Sequence, residues 1–446
     1  MVTPSNPVEK ATATPTRAFF VDMIVKDVSL NSAILDLVDN CVDGALRLRP
    51  NSHFDGLYVS ITINSQKFVI TDNCGGIDIE TAKNYAFKFG KDPRSAPTPG
   101  GVGLFGVGMK RAIFKLGKKS EVESTSKFGR FKVQIDIDDW LKDTSDTWTF
   151  PMTASTFADE VPEAERGTTI TIIDLFEGVS EQFETSLFTS RLNEEISARH
   201  ATFLQKNLNI KINGRSVTGS KVLFRYLPRE LVPIHREDRS DGIVYSLYAG
   251  IGDSSPELAG WYVYCNGRMV VKADQSDLTG WSSLGVPAGI PKIPKFHHQF
   301  ARFRGCTYFE SDDPTKLPWK TTKDGLDVEL PLYRAVKLKM ILAARPIITF
   351  LNELDRELNE PVEEKRVLTA LVSRAVLSPP ADLPVSDTFV YLKPEPRPKP
   401  PQTVRIQYDR PKDQVESLKK CLKVTSARQV GELTFDWYLE NECRNE

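Results

Sequence analysis

Apolar residues recur every three or four positions in the segment SLNSAILDLVDNCVDGALRL. This spacing predicts a helix over residues 31–46 with one apolar face. The predicted apolar stripe consists of Ile34, Leu37, Val38, Cys41 and Ala45. Asp36, Asn40 and Asp43 follow the i, i+4, i+7 spacing, so we expect all three on the opposite face.

Further along the chain the period changes from helical to strand-like. The stretch YVSITINSQKFVITDN alternates apolar and polar residues, which predicts two strands joined by a turn at Asn64 and Ser65. Because helical and strand patterns alternate from Phe19 to about Ile173, we predict an α+β layer sandwich for this region.

Other patterns predict five further regions of the chain. The strands NLNIKING, DGIVYSLYAGI and GWYVYCNGRMVV favour a second α/β domain, and the helical pattern after it contains Pro346, which we expect to kink or divide the helix. A proline-dense stretch predicts an extended linker, after which come a strand and two short amphipathic helices. The predicted regions are a flexible N-terminal arm (1–18), the first domain (19–190), the second domain (191–330), a helical segment (331–376), the linker (377–401) and a small C-terminal module (402–446).

Composition narrows the class of protein. A chain of 446 residues with 40% hydrophobic residues can bury two or three cores. The formal charge of -1 means that any nucleic-acid contact must be a local patch. The six scattered cysteines lack metal-ligand spacing, and no signal peptide or membrane-spanning run is evident, so we expect a cytoplasmic protein with reduced thiols and no membrane partner.

The polar face of the first helix carries the first candidate chemistry. A carboxylate such as Asp36 can polarise an attacking water, and the Asn40 amide oxygen can ligate Mg²⁺ without adding a charge that would repel phosphate. A solvated helix face explains the same spacing.

The segment FVITDNCGGID ends a predicted strand at Asp72. The glycines Gly75 and Gly76 let the backbone turn tightly beneath a flat ligand. A buried carboxylate at Asp72 can accept a hydrogen bond from the exocyclic amine of adenine, which guanine does not offer. The alternative is an Asx turn that closes a hairpin.

A glycine-rich segment, PGGVGLFGVGMKRAIFKLG, runs into a predicted helix beginning near Met109. Its amides and the helix N-terminus can hold phosphate oxygens, with Lys110 or Arg111 as counter-charges. The segment is not a P-loop, because Gly-Lys-Ser/Thr is absent, and it does not follow a strand as a Rossmann turn does.

The fourth candidate is the segment GTTITI, a β-branched strand from Gly167 to Ile172. The hydroxyl of Thr168, near its start, can bond a purine directly or through water. An ordinary edge strand would show the same pattern.

Together, LDLVDNCVDGA, TDNCGGID, GLFGVGMK and GTTI resemble the four successive motifs of the GHKL ATPases. This superfamily includes DNA gyrase B, the MutL and MORC proteins, heat-shock chaperones and histidine kinases. The resemblance covers roughly residues 19–175 and implies the Bergerat layer sandwich, ATP as ligand and Mg²⁺ as cofactor.

The resemblance also implies roles for individual residues. Asn40 would ligate Mg²⁺, Asp72 would read adenine, and Thr168 would make a secondary adenine contact. Gly103, Gly106 and Gly108 would form the ATP lid. The implied ATP-binding positions are Asn40, Asp43, Asp72, Gly76, Ile77, Gly103, Leu104, Phe105, Gly106, Val107, Gly108, Met109, Lys110 and Thr168.

Two positions depart from the family pattern. Asp36 occupies the water-activating position, where hydrolytic members usually have glutamate, so its carboxylate lies one methylene further back. We therefore expect slow hydrolysis. Cys74 stands where a glycine is common, and we expect it only to line the pocket.

The second domain resembles the transducer domain of the MutL, gyrase and MORC branch, through YVYCNGRMV and LPWKTTKDGLD. In that branch a transducer lysine reaches the γ-phosphate. Lys323 matches this lysine best, and Lys320 is the alternative. A lysine in a polar loop is also commonly solvated. No phospho-acceptor histidine box precedes the first motif, which disfavours a histidine kinase.

The stretch PKIPKFHHQFARFRG is a candidate nucleic-acid contact. It interleaves cations and aromatic rings: Lys292, Lys295, Arg302 and Arg304 with Phe296, Phe300 and Phe303. The rings are equally compatible with a core position, with the cations extending to solvent.

These patterns are closest to prokaryotic MORC- and MutL-like ATPases. This resemblance implies an ATP-dependent homodimeric clamp acting on DNA, in restriction or anti-phage defence, with a possible protein partner from such a system. The alternatives are a chaperone-like protein remodeller and an ATP-gated scaffold with little hydrolysis.

Overall fold

The protein is described by a computed structural model. The described residues are 15–50, 53–90, 98–103, 106–145, 147–282, 293–358, 366–392 and 404–443. They form an α+β structure in which a large sheet and a smaller one are covered by helices, as the sequence predicts. None of the helices in these ranges is long and apolar enough to cross a membrane.

The first sheet has eight strands in the order β5-β4-β3-β6-β2-β1-β7-β8. The strands are β1 (Tyr58–Asn64), β2 (Lys67–Asp72), β3 (Gly117–Ser126), β4 (Gly129–Asp136), β5 (Met152–Phe157), β6 (Gly167–Leu175), β7 (Asn209–Ile212) and β8 (Arg215–Ser216). All neighbours pair antiparallel except β1 and β7, which are parallel.

Eight α-helices accompany this sheet within the described residues. They are α1 (Arg17–Lys26), α2 (Leu30–Leu48), α3 (Ile79–Thr81), α4 (Gly108–Leu116), α5 (Ile137–Lys142), α6 (Glu177–Glu184), α7 (Ser186–Arg199) and α8 (Ala201–Gln205). Helix α2 begins after Ser29, whose hydroxyl accepts a hydrogen bond from the Ser32 amide. The predicted stripe of α2 is buried at every position, in one core with the inward residues of β1 and β2, which confirms the periodicity argument.

The first sheet extends further along the chain than predicted. β7 lies in the segment NLNIKING, which the sequence assigned to the second domain, yet it pairs with β1 through Val59–Ile210 and Ile61–Ile212. The boundary predicted at residue 190 is therefore too early. Alternating hydrophobicity identifies a strand but does not say which sheet it joins.

The second sheet has five strands in the order β11-β12-β15-β13-β14. The strands that follow β8 are β9 (Phe224–Tyr226), β10 (Leu231–Val232), β11 (Ile234–Ser240), β12 (Ile243–Ile251), β13 (Gly260–Cys265), β14 (Arg268–Asp274) and β15 (Phe303–Glu310). β13 and β15 are parallel, and the other neighbours are antiparallel. Helix α7 contacts both α2 and β14, so it lies between the two sheets.

Two helices follow the second sheet, α9 (Pro331–Leu358) and α10 (Val367–Arg374). α9 packs on β12 and β15 through a row of buried apolar residues. Pro346 lies inside α9 without dividing it, because burial of this face stabilises the helix on both sides of the proline.

Part of the predicted proline-rich linker is folded. β16 (Val376–Ser378) pairs with β9, and β17 (Val390–Tyr391) pairs with β10. The ring of Phe389 lies 5.5 Å from that of Phe350 in α9. An extended linker is therefore the wrong description for residues 377–392, where aromatic and β-strand contacts outweigh the proline content. The remainder, 393–401, lies outside the described residues.

Residues 395–446 form a separate compact unit. It contains α11 (Lys412–Leu422) and α12 (Ala427–Glu442), and α12 begins with a capping box between Ser426 and Gln429. The two amphipathic helices match the prediction. The predicted strand before them is absent from the described residues 404–443.

Candidate functional site

A cavity of about 590 Å³ lies beside α2, β2, β6 and the N-terminus of α4. Apart from the alternative lysine Lys320, the predicted ATP-site residues that fall within the described residues line it: Asp36, Asn40, Asp43, Asp72, Gly76, Ile77, Gly103, Gly106, Val107, Gly108, Met109, Lys110, Thr168 and Lys323. Leu104 and Phe105 lie outside the described residues. The four motifs and the second-domain lysine thus surround one space.

The polar face of α2 is turned into this cavity rather than into bulk solvent. Asp36 and Asp43 are buried, whereas Asn40 is exposed to the cavity. The Asp36 carboxylate lies 3.4 Å from both the Arg111 guanidinium and the Lys323 ammonium. Burial raises the pKa of the Asp36 carboxyl, and these cations oppose the rise only in part. The solvated-face interpretation is therefore wrong for the two carboxylates.

Asp43 binds the start of the glycine-rich segment that the sequence predicts as the ATP lid. Its two carboxylate oxygens accept hydrogen bonds from the backbone amides of Val102 and Gly103, at 2.6 and 2.7 Å. A Cβ on Gly103 would lie 2.3 Å from Asp43 Oδ2, so only glycine fits this approach. Asp43 therefore fixes where the lid leaves the helix layer.

Asp72 both closes a turn and faces the cavity. Its Oδ1 accepts a hydrogen bond from the Cys74 amide at 2.7 Å, which is the predicted Asx turn. Its Oδ2 lies 3.4 Å from the Cys41 thiol. Burial raises the pKa of the Asp72 carboxyl, against the hydrogen bonds that it accepts. The two interpretations of this motif are thus compatible with each other.

Cys74 lines the same end of the cavity and is buried. Burial raises the pKa of its thiol, as it does for the thiol of Cys41, so both stay protonated.

Thr168 sits near the start of β6, which is an interior strand between β2 and β3. The edge-strand alternative is therefore wrong. The Thr168 hydroxyl lies 2.9 Å from the hydroxyl of Ser124, which also accepts a hydrogen bond from the Ile77 amide at 2.8 Å. Ser124 thus links β6 to the loop after Asp72. No motif pointed to it.

Lys110 connects the end of the glycine-rich segment to the region around Ala86. Its ammonium donates hydrogen bonds to the carbonyls of Ala86, at 2.9 Å, and Gly106. Burial lowers the pKa of this ammonium to about 8. Arg111, the other predicted counter-charge, pairs with Asp36.

Of the two candidate lysines in LPWKTTKDGLD, Lys323 lines the cavity and Lys320 does not. The Lys323 amide donates to the Lys320 carbonyl at 3.0 Å, and Lys323 has a φ of 55°. This turn directs the Lys323 ammonium to Asp39, whose Oδ2 lies 2.8 Å away. Lys323 is 5% exposed, so the solvated-loop alternative is wrong for it.

Asp39 is the centre of a buried cluster that the sequence did not indicate. Its Oδ1 lies 2.8 Å from both Arg268 Nε and His200 Nε2, and Asp39 is fully buried. Burial alone would raise the pKa of Asp39, but the cations of Arg268 and Lys323 hold it well below its usual range. The only sign of this cluster in the sequence is that Asp39, a charged residue, lies next to the apolar stripe of α2.

Asn266 is a second residue that motif reasoning missed. Its side-chain amide donates to the carbonyls of Gly101, at 2.9 Å, and Ser311, at 3.0 Å. The turn between β13 and β14 therefore contacts the beginning of the lid.

Part of the basic stretch belongs to the core and not to a stacking surface. Phe300 and Phe303 are buried, and so is Arg304, whose guanidinium donates to the carbonyls of Ala301, Phe303 and Asp253. These groups are unavailable to nucleic acid, so the core interpretation is correct for them. Lys292 lies outside the described residues.

The residues present fit a magnesium nucleotide. The cavity has the size of a small-ligand site. The N-terminus of α4 borders the cavity, where helix amides suit phosphate oxygens, and the Asn40 amide oxygen is a hard ligand suited to Mg²⁺.

Residues 28–168 match the family model described as "Histidine kinase-, DNA gyrase B-, and HSP90-like ATPase". The match assigns this segment to the GHKL ATPase superfamily. The chain therefore carries an ATPase domain of this class, followed by a second α/β region. No curated protein matches the chain.

Proposed function

We propose that the protein binds and hydrolyses ATP with Mg²⁺ and works as an ATP-gated dimeric clamp. The observation that carries the proposal is the position of Lys323. This residue follows the second sheet, yet its ammonium lies 3.4 Å from Asp36 on α2, inside the cavity of the first sheet. A ligand that contacts Lys323 is therefore held by both parts of the molecule.

Each end of the cavity suits one part of ATP. The Asp72 carboxylate would accept a hydrogen bond from the adenine amine, with Thr168 nearby. Asn40 would ligate Mg²⁺, which would neutralise phosphate charge. The amides at the N-terminus of α4 and the Lys323 ammonium would hold the β- and γ-phosphates.

Asp36 is the residue best placed to take the proton of an attacking water. Arg111 pairs with one oxygen of its carboxylate and Lys323 with the other, and its side chain is one methylene shorter than glutamate. Hydrolysis therefore requires these cations to shift toward phosphate, which supports a slow turnover.

The biological setting rests on resemblance. The segments YVYCNGRMV and LPWKTTKDGLD resemble the transducer of MORC and MutL proteins, which favours a cytoplasmic homodimer that acts on DNA, in restriction or anti-phage defence with a partner protein. The six unpaired cysteines agree with that location.

A nucleotide-dependent change of mass tests the clamp. Light scattering on the wild type should show a doubled mass with a non-hydrolysable ATP analogue and no change with ADP. Asn40→Ala should remain monomeric under both conditions, and Gly178→Ala, where a Cβ meets no neighbour, should behave as wild type. A wild-type mass that ignores the analogue would rule out the clamp.

Calorimetry tests the ligand itself. The wild type should bind ATP and not GTP, and Asp72→Asn should lose about tenfold or more of its ATP affinity, because an amide nitrogen would then face the adenine amine. Equal heats for ATP and GTP would exclude adenine recognition by Asp72.

DNA titration separates the clamp from a protein remodeller or scaffold. A DNA clamp should bind duplex DNA with an affinity that falls as salt rises, and DNA should change ATP turnover. If DNA has neither effect, the remodeller replaces the clamp on DNA as the preferred function.

A further inference from the structure

Two segments from the second part of the molecule meet at one carboxylate of the first. Arg268, at the start of β14, reaches Asp39 Oδ1 at 2.8 Å, and Lys323 reaches Asp39 Oδ2 at 2.8 Å. His200, between α7 and α8, also contacts Oδ1 at 2.8 Å. Four elements are thus joined at Asp39, which lies one residue before the proposed magnesium ligand.

The two oxygens of Asp39 have different partners. Oδ1 is hydrogen-bonded to Arg268 and His200, whereas Oδ2 accepts a hydrogen bond from Lys323. The Lys323 ammonium is closer to Asp39, at 2.8 Å, than to Asp36, at 3.4 Å. Because an ammonium has three N–H donors, one bond to Asp39 leaves others to face the cavity.

The charges of the cluster do not cancel. Two carboxylates, Asp36 and Asp39, lie among three cations, Arg111, Arg268 and Lys323. Asp39 separates the two most buried of these cations, Arg268 and Lys323, which would otherwise repel each other in a medium of low dielectric.

We propose that Asp39 is a positioning residue that holds the Lys323 ammonium at the cavity wall, where it meets the terminal phosphate, and ties this contact to the second sheet through Arg268. The proposal rests on the proposed ATP function. It assigns to Asp39 the discrimination between ATP and ADP, since ADP lacks the phosphate that Lys323 would contact.

The consequence of losing Asp39 is specific. Lys323 would keep only Asp36 as its carboxylate partner, so its ammonium would be drawn toward the proposed base and away from its position at Asp39. Binding of the triphosphate would weaken. Binding of the diphosphate would not, because adenine, Mg²⁺ and the lid contacts remain.

The test measures the affinities of the full chain for a non-hydrolysable ATP analogue and for ADP. Asp39→Asn should lower the affinity for the analogue by about tenfold or more and the affinity for ADP by less than about twofold. Lys323→Met should change the two affinities in the same way. The variant carrying both Asp39→Asn and Lys323→Met should lose no more affinity for the analogue than Lys323→Met alone. Lys316→Met, at an exposed lysine outside the cavity, is the matched control.

Asp39→Asn leaves the Arg268 charge buried without its partner and can prevent folding. The variant carrying both Asp39→Asn and Arg268→Gln removes one anion and one cation, so it keeps the net charge of the cluster. Its thermal melt without nucleotide reports the fold, and the same selective loss of the analogue is expected. If Asp39→Asn is unfolded, the affinities of this paired variant decide whether Asp39 positions Lys323.

Two results would overturn the positioning role. The first is an unchanged analogue affinity in the folded Asp39 variant while Lys323→Met weakens it, which would leave the ATP function intact. The second is an equal loss of ADP and analogue, which would make Asp39 a structural residue of the pocket. If Lys323→Met leaves the analogue affinity unchanged, the proposed role of Lys323 itself fails.

Discussion

The side-chain amide of Asn266 lies 2.9 Å from the carbonyl oxygen of Gly101. This hydrogen bond joins the turn of the β13–β14 hairpin to the beginning of the lid. The same amide group also donates to the Ser311 carbonyl and accepts from the Ser311 amide. The second sheet therefore contacts the lid directly, independently of Lys323.

We expect Asn266→Ala to lower the free energy of unfolding by about 1–3 kcal/mol, because it leaves buried backbone groups without partners. It should also weaken binding of the ATP analogue, since the lid loses a fixed point. Denaturant unfolding and calorimetry measure the two effects. Asn193→Ala, at an exposed position of α7, is the control, and equal effects of the two substitutions would contradict the prediction.

Asp43→Asn should loosen the lid. The carboxylate accepts from two backbone amides, whereas an Asn side chain has one acceptor atom, so either Val102 or Gly103 loses its partner. Hydrogen exchange at these two amides should accelerate by about tenfold or more. Asp159→Asn, at an exposed site, should leave both rates unchanged. Slow exchange in Asp43→Asn would show that other contacts hold the lid.

Gly103→Ala should be strongly unfavourable. The added Cβ would lie 2.3 Å from Asp43 Oδ2, so the lid would have to move away from α2. We expect a stability loss of about 1–3 kcal/mol and loss of the nucleotide-dependent mass change. Gly178→Ala adds the same atom in open space on α6 and should be neutral or slightly stabilising. Similar behaviour of the two variants would contradict the geometry.

Asp36→Asn should separate binding from hydrolysis. Removing the proposed base should lower turnover by about 10²-fold or more, while the ATP analogue still binds. Because burial raises the pKa of Asp36, wild-type turnover should rise with pH through a midpoint above the ordinary value of 3.8. A steady-state rate profile against pH checks this. Turnover by Asp36→Asn at the wild-type rate would exclude the base role.

Lys110 gives a pH dependence of stability. Its pKa is lowered from 10.5 to about 8, so between these values the unfolded chain binds more protons at this site than the folded chain does. The free energy of unfolding of the wild type, relative to Lys110→Met, should therefore rise by about 2 kcal/mol from about pH 7.5 to about pH 9.5. Urea unfolding of both proteins measures it. Lys67→Met, at an exposed site, should show no such difference, and a flat profile for Lys110 would contradict the burial effect.

Sequence periodicity was sufficient to predict the helices and strands that bury one face and expose the other. The stripe of α2 and the hairpin of β1 and β2 follow directly from apolar spacing. The motif order also predicted which residues line the cavity, including Lys323 from a distant loop. The roles assigned to these residues stay predictions until nucleotide binding is measured.

Long-range pairing was not accessible from local pattern. Asp39 looked like one more polar residue of α2, and its importance depends on Arg268 and His200, which are far away in sequence. The basic stretch left a binding surface and a core position equally open, because composition does not distinguish Phe303 in a core from Phe303 on a surface. Proline content likewise hid the strands at Val376 and Val390.

The parallel pairing of β1 with β7 has a practical consequence for dissecting this protein. A fragment that stops at residue 190 would contain β1 paired only with β2, so Val59 and Ile61 would lie in an edge strand whose unpaired backbone groups invite aggregation. Recombinant ATPase-domain fragments should therefore extend at least through Ser216, where the last strand of the first sheet ends.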